Sequence, residues 1–584
     1  MRRFICAAVV FLLLILAEAV SADEPKTRTV YVSLSACEDG SEMPGDAVMW
    51  QRVGSKYYLF LPGNTGLEEA RIWYADSGEV TLNGQALRSG DRMPGLKDGE
   101  TVRLRYLGKT YTINVMQGSG IAAAFINTES GDITKINASK AYKEAGTMLL
   151  MNADGTIAYD GGLDHIKLRG HTSAKFEKKG YAIKLNQKSE LLGMGKAKKW
   201  ALTSNARDHA LIRNQICFGM AEYVGMAYTP QCRPVELYLN HQYNGTYILQ
   251  EKPEIGENRV NIRNLEKATE AVNDLALNEY PKAGNTKAAK GKYKYIDIPK
   301  DPEDITGGYL VEFEISEERY NEADCVYTTN RGKLIVVKEP EYVSKAQMQY
   351  ISDFMQGYEN AIFAADGMDP ETGKRYDEYI DHNSLVLKYM LEEISKNLDG
   401  NKSSQFFYKP EDAVSELAFA GPAWDYDSTF GDYGRAKDSK GLINPLGFYH
   451  NTVNRLGYWW PKLYEKQDFY ESICEMWQTR YAPALRVVLG REKDESGKLK
   501  SIEEYAAAIE KSAAMNFIVW PMRQSSENIA RCGKTFKANI EYLTNYISKR
   551  YDFLDSEWGK PSAEPTDEPV ERPTEEPAAE QMEE

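Results

Sequence analysis

The sequence predicts an α+β protein of two lobes preceded by a small β-sandwich. Three observations carry that expectation. Residues 28–118 are short β-runs between turn signals, and residues 121–338 continue in alternating runs interrupted by one helical stretch. From residue 346 onward the apolar residues recur at helical spacing. The 584 residues, 42% of them hydrophobic, suffice for real cores, and a length prior of roughly 150 residues per domain gives several. The 38 Tyr against 18 Phe suggest wet grooves and amphipathic surfaces.

Taken in order, Arg2 and Arg3 precede an apolar stretch over 5–16 and then Val20-Ser21-Ala22. This reads as a signal peptide over 1–22, too short to span a bilayer. No Cys follows the small residues, which speaks against a lipid anchor, and the expected destination is secreted or cell-surface, with no span in the mature chain. Residues 23–118 form the expected Ig-like β-sandwich, with runs at 29–34, 57–61, 80–82, 101–106 and 110–115 and a turn at Asn83-Gly84. Residues 119–558 are the main domain. Its runs at 121–126, 147–151, 165–169 and 181–185 predict a mostly antiparallel sheet, followed by a helix over 206–223 with Asn205 as its cap. Strands return at 235–239 and 246–251, joined by a hairpin. Residues 282–300, rich in Lys, Gly and Ala and without a period, read as a surface insertion. Strands at 308–315 and 333–338 lead into helices at 346–363, 384–396, 464–480, 502–512 and 537–553. Residues 559–584 are a disordered tail with Pro at 561, 565, 569, 573 and 577.

The formal charge is −15, unevenly placed: residues 561–584 hold nine acids and one Arg, while residues 165–200 hold ten Lys/Arg and two acids. A basic block in an acidic chain suits an anionic partner or a solvated face, and the overall sign argues against nucleic acid. The six Cys outside the signal (Cys37, Cys217, Cys232, Cys325, Cys474, Cys532) show no metal spacing. They read as buried hydrophobes, although disulfides are permitted.

The chemistry concentrates in Gly421-Pro-Ala-Trp-Asp-Tyr-Asp-Ser-Thr-Phe-Gly431, which places Asp425 and Asp427 at alternate positions after an apolar run. On a strand end they face the same way and suit a hard divalent cation; otherwise they are turn formers. Asp399, in Asn397-Leu-Asp-Gly, lies 26 residues upstream at the end of a helical pattern. An acid that orients a hydroxyl, followed by a metal-holding acid, is the order used in phosphoryl transfer. Lys184, on the run Tyr181-Ala-Ile-Lys-Leu185, supplies a cation, and Arg169-Gly-His-Thr-Ser173 is a small polar loop fit to cover phosphate. Glu222 and Glu251 are each placed to pair with Lys184. No G-x-G-x-x-G, H-R-D, D-F-G, H-E-x-x-H or G-x-S-x-G occurs. Cys532-Gly-Lys-Thr535 lacks the first glycine of a P-loop, with Asn528 in its place.

These residues also form a family pattern. Lys167-Leu-Arg-Gly-His-Thr-Ser173, Lys178-Lys-Gly-Tyr-Ala-Ile-Lys-Leu185, Gly245-Thr-Tyr-Ile-Leu-Gln-Glu-Lys252, Gly307-Gly-Tyr-Leu-Val-Glu312, Asn397-Leu-Asp-Gly400 and Gly421-Pro-Ala-Trp-Asp-Tyr-Asp427 resemble the CotH family, the spore coat protein H group of secretory-kinase-like proteins. The resemblance implies a divergent protein-kinase-like fold, ATP with Mg²⁺ or Mn²⁺ as cofactors, and transfer of the γ-phosphate to Ser or Thr of a protein substrate. It makes Asp399 the catalytic acid, Asp425 the principal metal ligand and Asp427 a second metal-binding or structural acid. Ser404 stands where many relatives carry a metal-binding Asn, and His171 where an Asn is common. Lys184 would hold the ATP phosphates, with Arg169 and the small loop covering them. The rival expectation is a non-catalytic surface or wall-associated binding protein, with a partner held through the β-sandwich.

Overall fold

The computed structural model describes residues 30–34, 43–75, 79–314, 317–433, 440–451, 458–522 and 532–559. The signal and tail expectations, and Cys37, lie outside the described residues. The architecture is mixed α+β.

At the N-terminal end, a three-stranded sheet centred on Tyr31–Ser33 faces a six-stranded one that runs from Gln51–Val53 to Gln85–Leu87. Alternation places the strands: in Thr101–Tyr106, Val102, Leu104 and Tyr106 are buried and their neighbours exposed. Asn83 and Gly84, both at positive φ (52° and 91°), make the two-residue turn between Leu82 and Gln85. The apolar core between these sheets also takes in Phe125, Tyr238, Tyr243 and Met515 from beyond residue 118. The Phe125 and Tyr238 rings stack 4.7 Å apart. The N-terminal sheets are therefore packed onto the rest of the chain through a common core.

The mostly antiparallel sheet expected after residue 121 is present, and it closes into a seven-stranded barrel. Strands Ala122–Thr128, Lys143–Met151, Ile157–Arg169, Gly180–Glu190, Lys196–Thr203 and the hairpin Cys232–Leu239/Gln242–Gln250 run round it. Ala122–Thr128 closes it by pairing parallel with Cys232–Leu239. A parallel pairing more than 100 residues apart leaves no local signal, so the sequence could not announce closure. Ile166, Tyr181, Ile183, Leu185, Trp200, Leu202 and Tyr247 fill the interior. By the period of two, Ala182 and Lys184 point outward.

The second lobe holds a seven-stranded antiparallel sheet, with Tyr309–Glu314 buried along its whole length near the middle. The supposed insertion at 282–300 contributes the edge strand Lys282–Gly284 and its neighbour Tyr293–Ile296. Their β-forming Tyr-Lys-Tyr-Ile was hidden by flanking Lys and Gly, and an edge strand half-exposed on both faces shows no clean alternation. Helix Lys345–Phe363 opens with a Ser344/Gln347 capping box. Helix His382–Ser395 is capped by Asp381 and buried at every residue from Leu385 to Ser395.

Two helix expectations need correction. The helix expected over 206–223 begins at Arg213, and Asn205 does not cap it. Asn205 lies at φ 50° and donates to the Leu211 carbonyl, while the Asp208 carboxylate takes the Ala210 and Arg213 N–H groups and pairs with the Arg213 guanidinium. The helix expected over 464–480 runs as Gln467–Met476, widens into a π-turn over Trp477–Tyr481 and resumes at Ala482–Val488. Pro483, which lacks an N–H, accounts for the widening. Cys217, Cys232, Cys325 and Cys474 are thiols, and no disulfide occurs among the described residues. No helix among the described residues is long and apolar enough to cross a membrane.

Candidate functional site

The acids gather where the barrel meets the second lobe. Helix His382–Ser395 ends in a left-handed Lys396 (φ 45°), whose buried ammonium donates to the carbonyls of Gly441, Asn444 and Leu446. The turn that follows carries Asp399. Its backbone is fixed from behind: Trp460 Nε1 donates to the Gly400 carbonyl (2.6 Å), Lys333 Nζ to the Asn401 carbonyl (2.8 Å), and the Asn401 side chain meets the buried His450.

The second acidic segment is not a strand end. Strand Phe419–Ala420 stops five residues before Asp425, and Asp425 itself sits at φ 65° in an irregular loop. Hydrogen bonds to the Asp399 turn replace the expected strand: Asn397 Nδ2 to the Asp425 carbonyl (3.4 Å), Leu398 N to the Ser428 carbonyl (3.3 Å) and Phe430 N to the Ser395 carbonyl (2.8 Å). Tyr426 between the acids is anchored by its N–H to Asn214 (2.8 Å) and its hydroxyl to Glu392 (2.6 Å), which also pairs with Lys388. Ser404, at φ 57°, donates to Asp425 Oδ2 at 3.2 Å. Two residues in left-handed backbone facing each other at a polar cleft mark the place where the fold tolerates strain.

The electrostatics follow from crowding. Burial pushes Asp399 up to about 6, with the Asp425 charge adding to it. Burial also raises Asp425, against the pull of Arg169 and Ser404, and raises Asp427, with Asp425 adding to it. Two further carboxylates, Glu312 and Glu314, come from strand Tyr309–Glu314. Glu312 pairs with Lys338 (2.8 Å) and Glu314 with Arg319 (3.3 Å), and burial followed by the Glu312 charge raises Glu314. Carboxyls pushed toward protonation by burial and by one another fit a divalent cation, which would offset both effects.

The barrel supplies the opposing charge. Arg169 lies over the Trp424 ring (5.3 Å), donates to Thr203 Oγ1 (2.7 Å) and feels Asp425, Asp427 and Glu312. Gly170, at φ 96°, lets the loop turn there: a Cβ would come within 2.0 Å of Ser173 Oγ. Beyond the turn, His171 Nε2 approaches Glu318 of the second lobe at 3.6 Å. Arg207 reaches Ser428 Oγ at 3.3 Å.

The structure pairs Lys184 with neither Glu222 nor Glu251. Its ammonium is 2.6 Å from Asp164 on the outside of the barrel. Glu251 is buried against Arg259 and accepts from the Gln231 N–H, and Glu222 accepts from Gln231 Nε2. Thus Asp399, Asp425, Asp427, Ser404 and Arg169 come together, while Glu222 and Glu251 serve a neighbouring polar cluster. Sequence reasoning missed Glu312, Glu314 and Arg207, whose charges reach the acids. Only the acids left a trace, in the alternation Glu312-Phe-Glu314. Elsewhere, Asp377, His382 and Asp468 also cluster, but Arg375 bridges both carboxylates (2.6 and 2.5 Å) and already supplies the cation.

A β-barrel set against a mixed α/β lobe, with an acid cluster and basic residues at their junction, defines a two-lobed protein whose candidate site lies between the lobes. The family model described as CotH kinase protein matches residues 166–554, and the chain belongs to the CotH family. No curated protein matches it.

Proposed function

We propose that the chain is an atypical Ser/Thr protein kinase of the CotH type, with a divergent protein-kinase-like fold in which the barrel is the smaller lobe and the N-terminal sheets are an added β-sandwich. The observation that carries this reading is the convergence of Asp399, Asp425 and Asp427 with Arg169 in one cleft. Asp425, Asp427 and Ser404 would hold Mg²⁺ or Mn²⁺, whose charge, when bound, neutralises the phosphate oxygens of ATP. Asp399 orients the acceptor hydroxyl. As the hydroxyl oxygen bonds to the γ-phosphorus, the bond from that phosphorus to the β–γ bridging oxygen breaks, ADP leaves, and the hydroxyl proton passes to the Asp399 carboxylate. Burial pushes the Asp399 carboxyl up, toward the proton it takes, while a cation on Asp425 would remove the part of the rise that comes from that charge. Arg169 spreads the negative charge, and the Gly170 turn brings the loop over it. The apolar stretch after Arg3 supports a secreted protein that meets its substrate outside the cell.

The test is intact mass after incubation with ATP, Mg²⁺ or Mn²⁺ and a Ser/Thr-rich peptide pool. The wild type gains phosphate or transfers it to the peptides, whereas Asp399→Asn and Asp425→Ala lose transfer by about 10²-fold or more with unchanged melting temperatures. Wild-type transfer rates in either folded variant would sink the reading. The Lys184–Asp164 pair favours a second reading, a non-catalytic surface binding protein. That reading requires no transfer and no nucleotide-dependent rise in melting temperature.

A further inference from the structure

The geometry points to Lys252, rather than Lys184, as the cation that anchors the polyphosphate of a nucleoside triphosphate in this cleft. The inference rests on the reading of the cleft as a nucleotide site, and it names the residue that reading leaves open.

The barrel's strand register sets the placement. Lys184 is the Cα partner of Lys199, and Ala201 pairs with Gln250 as the last pair of its ladder; extending that register by two residues would set Lys199 opposite Lys252, just past the end of strand Gln242–Gln250. Lys184 and Lys199 form a cross-strand row on the barrel's outer face, and Lys252 lies beside it, within electrostatic range of Lys199. Next to that row lies Ala182, also outward and half-buried, small enough to let a flat ligand approach the sheet, while its partner Ala201 is buried in the second lobe's core.

Of the cations in and around the row, all but one are engaged. Lys184 is tied to Asp164 at 2.6 Å, and Lys199 to Glu254 at 3.8 Å. Lys338 is tied to Glu312 at 2.8 Å, and Arg169 holds Thr203 and the Trp424 face. Lys252 makes no ion pair within 4.0 Å among the described residues, although Glu254 lies within electrostatic range. Arg169, Lys199 and Lys338 all act on it. Burial, followed by the repulsion of those three, holds its ammonium down to about 8, with Glu254 opposing. A half-buried ammonium beside three cations, whose one opposing carboxylate, Glu254, already pairs with Lys199, suits a further anion. A polyphosphate lying between Lys252 and the metal-binding acids would supply it, with Arg169 between the two ends.

The test compares full-length wild type with Lys252→Gln, Lys252→Arg and Lys184→Gln by calorimetric titration with MgATP, tripolyphosphate and adenosine. Ligand-free melting temperatures confirm that each variant is folded. The expected result is a rise in Kd for MgATP and tripolyphosphate of about 10-fold or more in Lys252→Gln, since a charge-assisted hydrogen bond is lost. Adenosine binding stays unchanged, Lys252→Arg is largely restored, and Lys184→Gln stays within about 3-fold, as befits a surface pair. A large loss in Lys184→Gln with none in Lys252→Gln overturns the assignment, as does equal weakening of adenosine in Lys252→Gln. Wild type that binds tripolyphosphate but not MgATP, with the loss confined to Lys252→Gln, keeps the anion site and removes the nucleotide reading. Binding of neither overturns both.

Discussion

Asp399 owes its position to groups that never reach the cleft. Gly400, beside it, faces the buried His450 and Glu392: a Cβ there would stand 2.5 Å from His450 Cε1 and 3.0 Å from Glu392 Oε2. Because His450 and Glu392 are fully buried, neither can swing into solvent to make room. Gly400→Ala is expected to cost about 1–3 kcal/mol of stability, read as a lower denaturation midpoint, and to depress transfer further by tilting the turn. Unchanged stability would mean the turn is looser than its contacts suggest. At this scale the acids were legible because Asp399, Asp425 and Asp427 sit in a dense run of turn-forming and small residues. Lys252 was not, because an exposed strand-end lysine and a cleft lysine look alike until the strands are laid side by side. The pairing of Lys184 was misread for the same reason: Asp164, its partner, lies on the adjacent strand and not on a helix.

Among the elements, helix Ile502–Val519 joins parts of the chain that are far apart in sequence. Ser512 Oγ donates to Glu236 of the barrel (2.6 Å), Asn516 Oδ1 accepts from the buried Lys178 (2.7 Å) and from Thr246 N (3.1 Å), and Lys511 pairs with Asp98 of the N-terminal sheets (2.9 Å). Burial raises Glu236 to about 8. Its folded pKa thus lies above its unfolded one, so the folded state keeps a proton that the unfolded chain releases. Its contribution is complete below about pH 4.5 and declines as pH rises toward 8, by up to about 1.4 kcal/mol per pH unit. Glu236→Gln, which cannot ionise, should therefore lose less stability than wild type between pH 5 and 8 in denaturant titrations. Parallel pH profiles for the two proteins would refute this. The helix was visible in the sequence through its apolar spacing. Its length and docking were not, since they depend on Ser512 and Asn516 meeting a barrel that no local pattern foretells.

For the molecule as a whole, the N-terminal sheets and the barrel share an apolar core, so removing the first should damage the second. Deleting residues 23–118 would expose Phe125, Tyr238, Tyr243 and Met515, which now lie in that core. Aromatic side chains of this kind bury about 150–250 Å² each. The expected outcome is one cooperative thermal transition for the intact chain and an aggregating or markedly destabilised truncated one. A truncated protein that melts at the intact temperature would show the sheets to be a passive appendage. The order of β-rich and α-rich halves was readable from residue spacing alone, whereas the barrel's closure and the shared core were not, because both depend on pairings between distant residues. One contact between the lobes responds to pH. His171 and Glu318 touch across the gap beside Arg169, and burial, aided by Arg319 and Lys140, keeps the imidazole below its ordinary pKa. Near neutrality the bridge carries little charge and parts easily; in acid the imidazolium forms and the bridge tightens.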